Sequence, residues 1–179
     1  IRYHVMDNIT KTIEINHSYI LDRIREKIGI DLLEFDHPYD MLTIVINRER
    51  IIDLLLFLKN DDVLKFDFLT DICGIHYPQN EGKEIGVIYH LHSLINNIRL
   101  RIKTFASAED PKFLTVTPVF LAANWMERET YDFYGAIFEG HPDLRRILNM
   151  DEMHYFPMRK EYPLQDATRT DKPDKYFGR

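Results

Sequence analysis

The sequence is sparing with the residues that redox chemistry and catalysis draw on most. It has one cysteine, Cys73, in 179 residues. A single thiol excludes an internal disulfide and points to a reducing compartment. It also excludes an iron–sulfur cluster held by this chain alone, because such a cluster takes several thiolates. Glycine is scarce, at seven residues, and none stands in a Gly-x-Gly-x-x-Gly or phosphate-loop spacing. Gly82 and Gly86 flank Lys83, but in neither the order nor the spacing of such a loop. No His-Glu-x-x-His zinc motif occurs. No apolar run approaches the roughly 18 residues of a membrane span; residues 51–58 come nearest and are interrupted by Asp53. No secretory leader pattern stands at the start of the sequence given, which begins on Ile1. Lys and Arg form no block, and the net charge is −6 with a pI near 5.7. That balance argues against nucleic acid or an anionic membrane surface as partner. If the chain serves redox chemistry, it does so without carrying the cofactors.

What is present is ordinary for a globular domain: 45% hydrophobic and 29% charged residues, enough for one real core. Asn16, His17 and Ser18 offer caps for a helix over 19–28, where Ile20, Leu21, Ile24 and Ile28 recur at helical spacing before Gly29. Residues 32–35 and 41–46 read as short strands around the turn His37-Pro38-Tyr39-Asp40. A second helix is expected over 48–58 and a strand over 63–69. Residues 71–80 read as a loop, 85–92 and 98–105 as a hairpin, and 106–117 as a further loop. The last helix is expected from a Thr117 cap and Pro118 to Gly135. Val119, Ala123, Met126, Thr130 and Phe133 would form its buried stripe. The fold class is α+β: a mostly antiparallel sheet with helices packed on one face, followed by an extended C-terminal arm. The division is 1–140 for the domain and 141–179 for the arm. In the arm, apolar residues come as separated anchors (Tyr155-Phe156, Tyr162-Pro163-Leu164, Tyr176-Phe177). Pro157 and Pro163 stiffen it, as suits a segment that orders against a partner.

Glu127, Arg128, Glu129 and Asp132 form the richest charged cluster. Arg128 and Asp132 have the spacing of a helical ion pair. The three acids are expected in the C-terminal half of the last helix, where the helix dipole disfavours negative charge. Arg145 and Arg146 follow after a short turn and are expected to fold back on these carboxylates, clasping the start of the arm. No nucleophile converges on them, so an acid–base site is the weaker reading. His90 and His92 share one face of a strand, and with His76 they could supply three zinc ligands. The plainer reading is a polar outer face. Cys73 and His76 are close in sequence, but that spacing is no evidence of a catalytic dyad.

Three blocks carry a resemblance. They are Trp125-Met126-Glu127-Arg128-Glu129-Thr130-Tyr131-Asp132-Phe133-Tyr134-Gly135, then His141-Pro142-Asp143-Leu144-Arg145-Arg146-Ile147-Leu148, then Pro157-Met158-Arg159-Lys160-Glu161-Tyr162-Pro163-Leu164. In order and spacing they resemble the signature of the C subunit of proton-pumping NADH-quinone oxidoreductase, the thirty-kilodalton subunit family of complex I. The stretch 69–78 and Val87-Ile88-Tyr89-His90-Leu91 resemble the family's middle region. His76 departs from it, since an acidic residue is common there. Residues 151–155 replace a more variable linker, often with glycine.

The resemblance implies a subunit of the hydrophilic arm, peripheral on the cytoplasmic side of the cell inner membrane. It implies no catalytic residue, cofactor or metal in this chain. FMN and iron–sulfur clusters are expected in other subunits, which pass electrons from NADH to quinone. The expected partner is the large D-type protein beside the quinone site, with the arm lying along it. Interface or clasp positions are then Trp125, Glu127, Arg128, Glu129, Asp132, His141, Arg145, Arg146, Arg159, Lys160 and Tyr162. Related proteins serve in membrane-bound hydrogenases and formate-oxidising complexes, which the sequence of this one component separates poorly.

Overall fold

The computed structural model describes residues 15–29 and 32–162. Helix α1, His17–Ile28, starts where Asn16 Oδ1 accepts from the Tyr19 N–H at 2.9 Å, and ends at Gly29 with φ 64°. Strands β1, Leu32–Asp36, and β2, Leu42–Ile46, pair antiparallel. One turn of 3-10 helix joins them, with Tyr39 and Asp40 at positive φ. A further 3-10 turn, Arg48–Arg50, leads into α2, Ile51–Asn60. Then come β3, Phe68–His76, β4, Ile85–Ser93, β5, Ile98–Ala106, and β6, Lys112–Leu114. The chain continues through α3, Ala123–Tyr134, to β7, Ile137–Glu139.

The main sheet has the order β1-β2-β5-β4-β3, antiparallel throughout except for β2 beside β5. Its inner face is set by strict alternation: Ile85, Val87, Tyr89 and Leu91 of β4 are all buried, and so are Leu100 and Ile102 of β5. Ile20 and Ile24 of α1 and Leu54, Leu55 and Leu58 of α2 complete the same core. Each such side chain contributes about 1.5–3 kcal/mol on burial. Helix α3 lies over β3 on this face, and Gly74 permits the approach. A Cβ there would stand 2.3 Å from the Tyr134 ring. The opposite face, carrying Cys73, Ile88, His90, Arg101 and Lys103, is only half-buried. No helix among the described residues is long and apolar enough to cross a membrane.

Four local expectations change. The strand expected over 63–69 begins only at Phe68. Asp61 accepts from the Val63 and Leu64 N–H groups and holds a turn there, and Lys65 takes φ 42°. The expected loop over 71–80 is β3 as far as His76, and only its tip turns. The loop over 106–117 contains β6, which pairs in parallel with β7. Helix α3 starts at Ala123, not at Thr117, because residues 115–117 are held by hydrogen bonds to Glu127 and to each other. Glu127 therefore lies in the first half of the helix rather than the second. Val119 precedes the helix, and Met126 and Phe133 are only part-buried; Ala123, Glu127 and Thr130 are among the residues it buries.

Candidate docking site

The C-terminal end of α3 and the chain that follows it build one polar network. A helix leaves its last four carbonyls without intrahelical donors. Here all of them find donors. Tyr131 O accepts from Gly135 N at 2.8 Å. Asp132 O accepts from Arg146 Nη1 at 2.9 Å, Phe133 O from Met158 N at 3.2 Å, and Tyr134 O from Arg159 Nε at 2.8 Å. Three of the four donors come from residues 146–159, so the helix end is completed by the segment beyond it. Two of them are guanidinium groups, the charge that a helix C-terminus favours.

Asp132 is the centre of this network. It is fully buried and accepts from Arg146 Nη1 at 2.8 Å and from Asn149 Nδ2 at 3.1 Å. It also accepts from three successive backbone N–H groups, of Ile147, Leu148 and Asn149, at 3.1, 2.8 and 2.9 Å. Burial pulls the carboxyl pKa up. The N–H groups of Asn149 and Leu148 and the Arg146 guanidinium outweigh it and hold the carboxyl well below the usual carboxylate range. Arg146 spends its other nitrogen on Met153 O and Tyr155 O, at 2.8 and 3.0 Å, and lies over the Phe156 ring. Arg159 lies over the same ring. Gly135, at φ 76°, is where Phe156 rests. A Cβ there would stand 2.5 Å from the ring.

Glu127 has the opposite environment. It too is fully buried, yet it accepts only from Thr115 Oγ1 at 2.6 Å and Val116 N at 2.7 Å. Burial pushes its carboxyl up to about 7, against the lowering effect of those two donors. The nearest basic group is His141, with Nε2 3.9 Å away. That ring is already engaged: Nε2 lies 3.0 Å from Asn124 O, and Nδ1 accepts from Asp143 N at 3.0 Å. These partners fix the Nε2–H tautomer.

The expected clasp residues divide. Arg146 reaches Asp132, whereas Arg145 turns outward to Asp143 at 3.0 Å, with its side chain 69% exposed. Arg128 does not pair with Asp132 either. It donates to Arg145 O, lies 3.8 Å from Asp143, and stacks over Trp125. Glu129 is exposed, as are Trp125 and Tyr162. Lys160 donates its backbone N–H to His76 Nδ1 at 2.9 Å. Thr115 carried no usable signal in the sequence. Phe156 stood out only as an apolar anchor of the arm, and His76 only as a candidate zinc ligand and a departure from the family pattern; neither foretold its place in this network. Pro163, Leu164, Tyr176 and Phe177 lie outside the described residues.

The three histidines do not form a zinc set. His76 is buried on the inner face of β3, while His90 and His92 point to the outer face. Cys73 and His76 are likewise on opposite faces of β3.

Comparison with known proteins agrees with this geometry. Residues 44–168 match the family described as respiratory-chain NADH dehydrogenase, 30 Kd subunit. The NADH-quinone oxidoreductase C subunit of Methylobacterium sp. is 43% identical over 143 residues, 80% of this chain and 66% of that protein. Its counterpart in Caulobacter vibrioides is 46% identical over 123 residues, 69% of this chain and 61% of that protein. The chain thus spans under two thirds of the length of these relatives. A trypsin-resistant fragment of Nqo5 shares the fold with TM-score 0.60 and 32% identity, over 71% of this chain and 98% of the fragment. A chain of the membrane-bound sulfane sulfur reductase, an archaeal respiratory membrane complex, matches at TM-score 0.69 over 87% of this chain and 95% of that one. At 24% identity the latter speaks for the fold alone. The helix, its arginine-closed end and the strands beneath it all fall within the matched span, and the chain belongs to the 30 kDa subunit family of respiratory-chain NADH dehydrogenase.

Proposed function

We propose that this chain is a structural component of the peripheral arm of a proton-translocating NADH-quinone oxidoreductase, without a redox cofactor or catalytic residue of its own. It supports the large D-type neighbour at the quinone site, on the cytoplasmic face of the inner membrane. Other subunits of the complex carry FMN and the iron–sulfur clusters. One observation carries this reading. The buried charges at the end of α3 are consumed internally: Asp132 takes five donors and Arg146 four acceptors, which leaves neither free to react with a substrate. What that closed network holds outward is a surface. Leu121, Trp125, Leu148 and Met150 are each more than 60% exposed around it, and exposed apolar groups rimmed by charge favour a protein partner.

In the same reading, the arm 141–179 docks along that partner. Residues 141–162 first close the end of α3, so a cut after Gly140 would also strip the helix of its caps. A chain ending at Tyr162 is the cleaner test. It should fold as the full chain does yet fail to co-purify with the large neighbour; normal co-purification would sink the arm reading. The proteins recovered with the full chain also decide between complexes. NADH-oxidising subunits support the proposal, whereas a nickel–iron large subunit supports the alternative of a membrane-bound hydrogenase.

A further inference from the structure

On the open face of the sheet, three residues that the docking site does not use come together. Asp71 and Cys73 are two apart on β3, and His90 faces Asp71 across the β3–β4 ladder. One ligand atom from each lies within 4.8 Å of the other two. In a tetrahedral zinc site, ligand atoms bound at ordinary distances sit about 3.6 Å apart. Rotation of the exposed Asp71 side chain, with small adjustments of the other two, closes the difference. Asp71 is exposed, so an ion can approach from the open face; Asp71 and Cys73 also border a cleft of about 280 Å³ at the β3 edge, against Glu129 and Tyr134 of α3.

A second observation concerns the histidine. Arg101 Nε donates to His90 Nε2 at 2.9 Å, so the ring proton sits on Nδ1. Nδ1 is buried and has no hydrogen-bond partner. A buried donor without an acceptor carries a desolvation penalty. A metal ion at Nδ1 removes it, because the ring proton then moves to Nε2 and the Arg101 bond is released. Carboxylate, thiolate and imidazole together are a zinc-type donor set.

We propose that Asp71, Cys73 and His90 form a divalent transition-metal site of zinc type, with Arg101 as competitor for the histidine ring. Binding forms bonds to an Asp71 oxygen, Cys73 Sγ and His90 Nδ1. It releases the thiol proton to solvent, and the imidazole stays neutral with its proton on Nε2. Three protein ligands leave the fourth tetrahedral position to water or to a group from a neighbouring protein. The other charges near the site are Glu129, which favours the ion, and Lys103, which opposes it together with Arg101.

The test is cobalt titration of the chelator-treated full chain, read by thiolate-to-cobalt charge-transfer absorption. One equivalent should give that band, and zinc should displace it. Cys73→Ser should abolish the band, and Asp71→Asn and His90→Gln should each weaken binding at least about tenfold. Arg101→Gln should tighten binding several-fold, a gain that damage to the fold would not produce. His92→Gln, on the same strand and face, should leave it unchanged. Absence of the band in the wild-type chain would overturn the site, as would unchanged affinity in His90→Gln.

Discussion

Asp132→Asn keeps the shape of the buried hub and removes its charge. In the native chain one oxygen takes the three backbone N–H groups of residues 147–149, and the other takes Arg146 and Asn149 Nδ2. An amide can serve only one of these two sets. If its oxygen stays with Arg146, its NH₂ group faces three donors. If it flips, the NH₂ group faces the guanidinium. Either way at least two donors lose their acceptor, and Arg146 is left buried without a counter-charge. Breaking a buried ion pair on one side costs about 3–5 kcal/mol, which for a domain of this size is a large share of the whole stability. Urea unfolding at pH 7 reads it directly, and the only tryptophan, Trp125, sits on α3 as reporter. The pH dependence checks the cause. The Asp132 carboxyl is held below its unfolded value of about 3.9. Its contribution is therefore fully present at neutral pH and is lost only as pH falls through the folded value. The wild-type advantage over Asp132→Asn should be constant from pH 8 to about 5, then shrink in acid. A difference under about 0.5 kcal/mol at pH 7, or a gap that does not begin to narrow below pH 4, would refute the account of this hub.

Glu127→Gln has the opposite sign. With the carboxyl raised from 4.5 to about 7, the wild-type chain loses stability as pH rises through that value, on the order of 3 kcal/mol in all. The variant should therefore be the more stable of the two at pH 8 but not at pH 5, and parallel urea midpoints at both pH values would refute this. Arg146→Glu should destabilise by about 3–5 kcal/mol, while Arg145→Glu, at an exposed side chain, should stay within about 0.5 kcal/mol. Equal urea midpoints for the two variants would show that the network is misread. Gly135→Ala meets both a positive φ and the Phe156 ring, so it should cost about 1–3 kcal/mol. It should also expose Arg159 and Lys160 to trypsin, and an unchanged digestion rate would count against the docking of Phe156 there.

The sequence made the elements legible wherever local chemistry decides them. Asn16 and Gly29 bracket α1, the alternation of Ile85, Val87, Tyr89 and Leu91 marks β4, and Gly135 ends α3. It misled where two local signals competed and a distant contact chose between them. Residues 63–69 alternate as convincingly as a strand does, but Asp61 takes the N–H groups that such a strand would pair. Thr117-Pro118 reads as a helix start, but Thr115 and Val116 are committed to Glu127, so the helix waits for Ala123. The short β6–β7 ladder joins residues more than twenty apart, and three-residue strands leave almost no periodicity to read.

The docking site shows the same division more sharply. Glu127 and Asp132 stand five apart on one helix, each fully buried, and their sequence surroundings do not distinguish them. Their chemistry diverges because of what arrives from elsewhere. The turn at 147–149 brings three N–H groups and Arg146 to Asp132, whereas Glu127 meets one hydroxyl and one N–H from residues before the helix. Charge pattern alone therefore named both arginines and all three acids as a clasp, and geometry kept one pair, Arg146 with Asp132. On the proposed docking reading, a residue with all its hydrogen-bonding capacity spent internally can only position others, and recognition of a partner would fall to exposed side chains around it, among them Trp125, Glu129, Arg145, Leu148 and Lys160. Substitutions at Asp132 or Arg146 should thus impair assembly only in proportion to the stability they remove. Substitutions at Trp125 or Glu129 should impair it at full stability, and urea midpoints set beside co-purification yields separate the two groups.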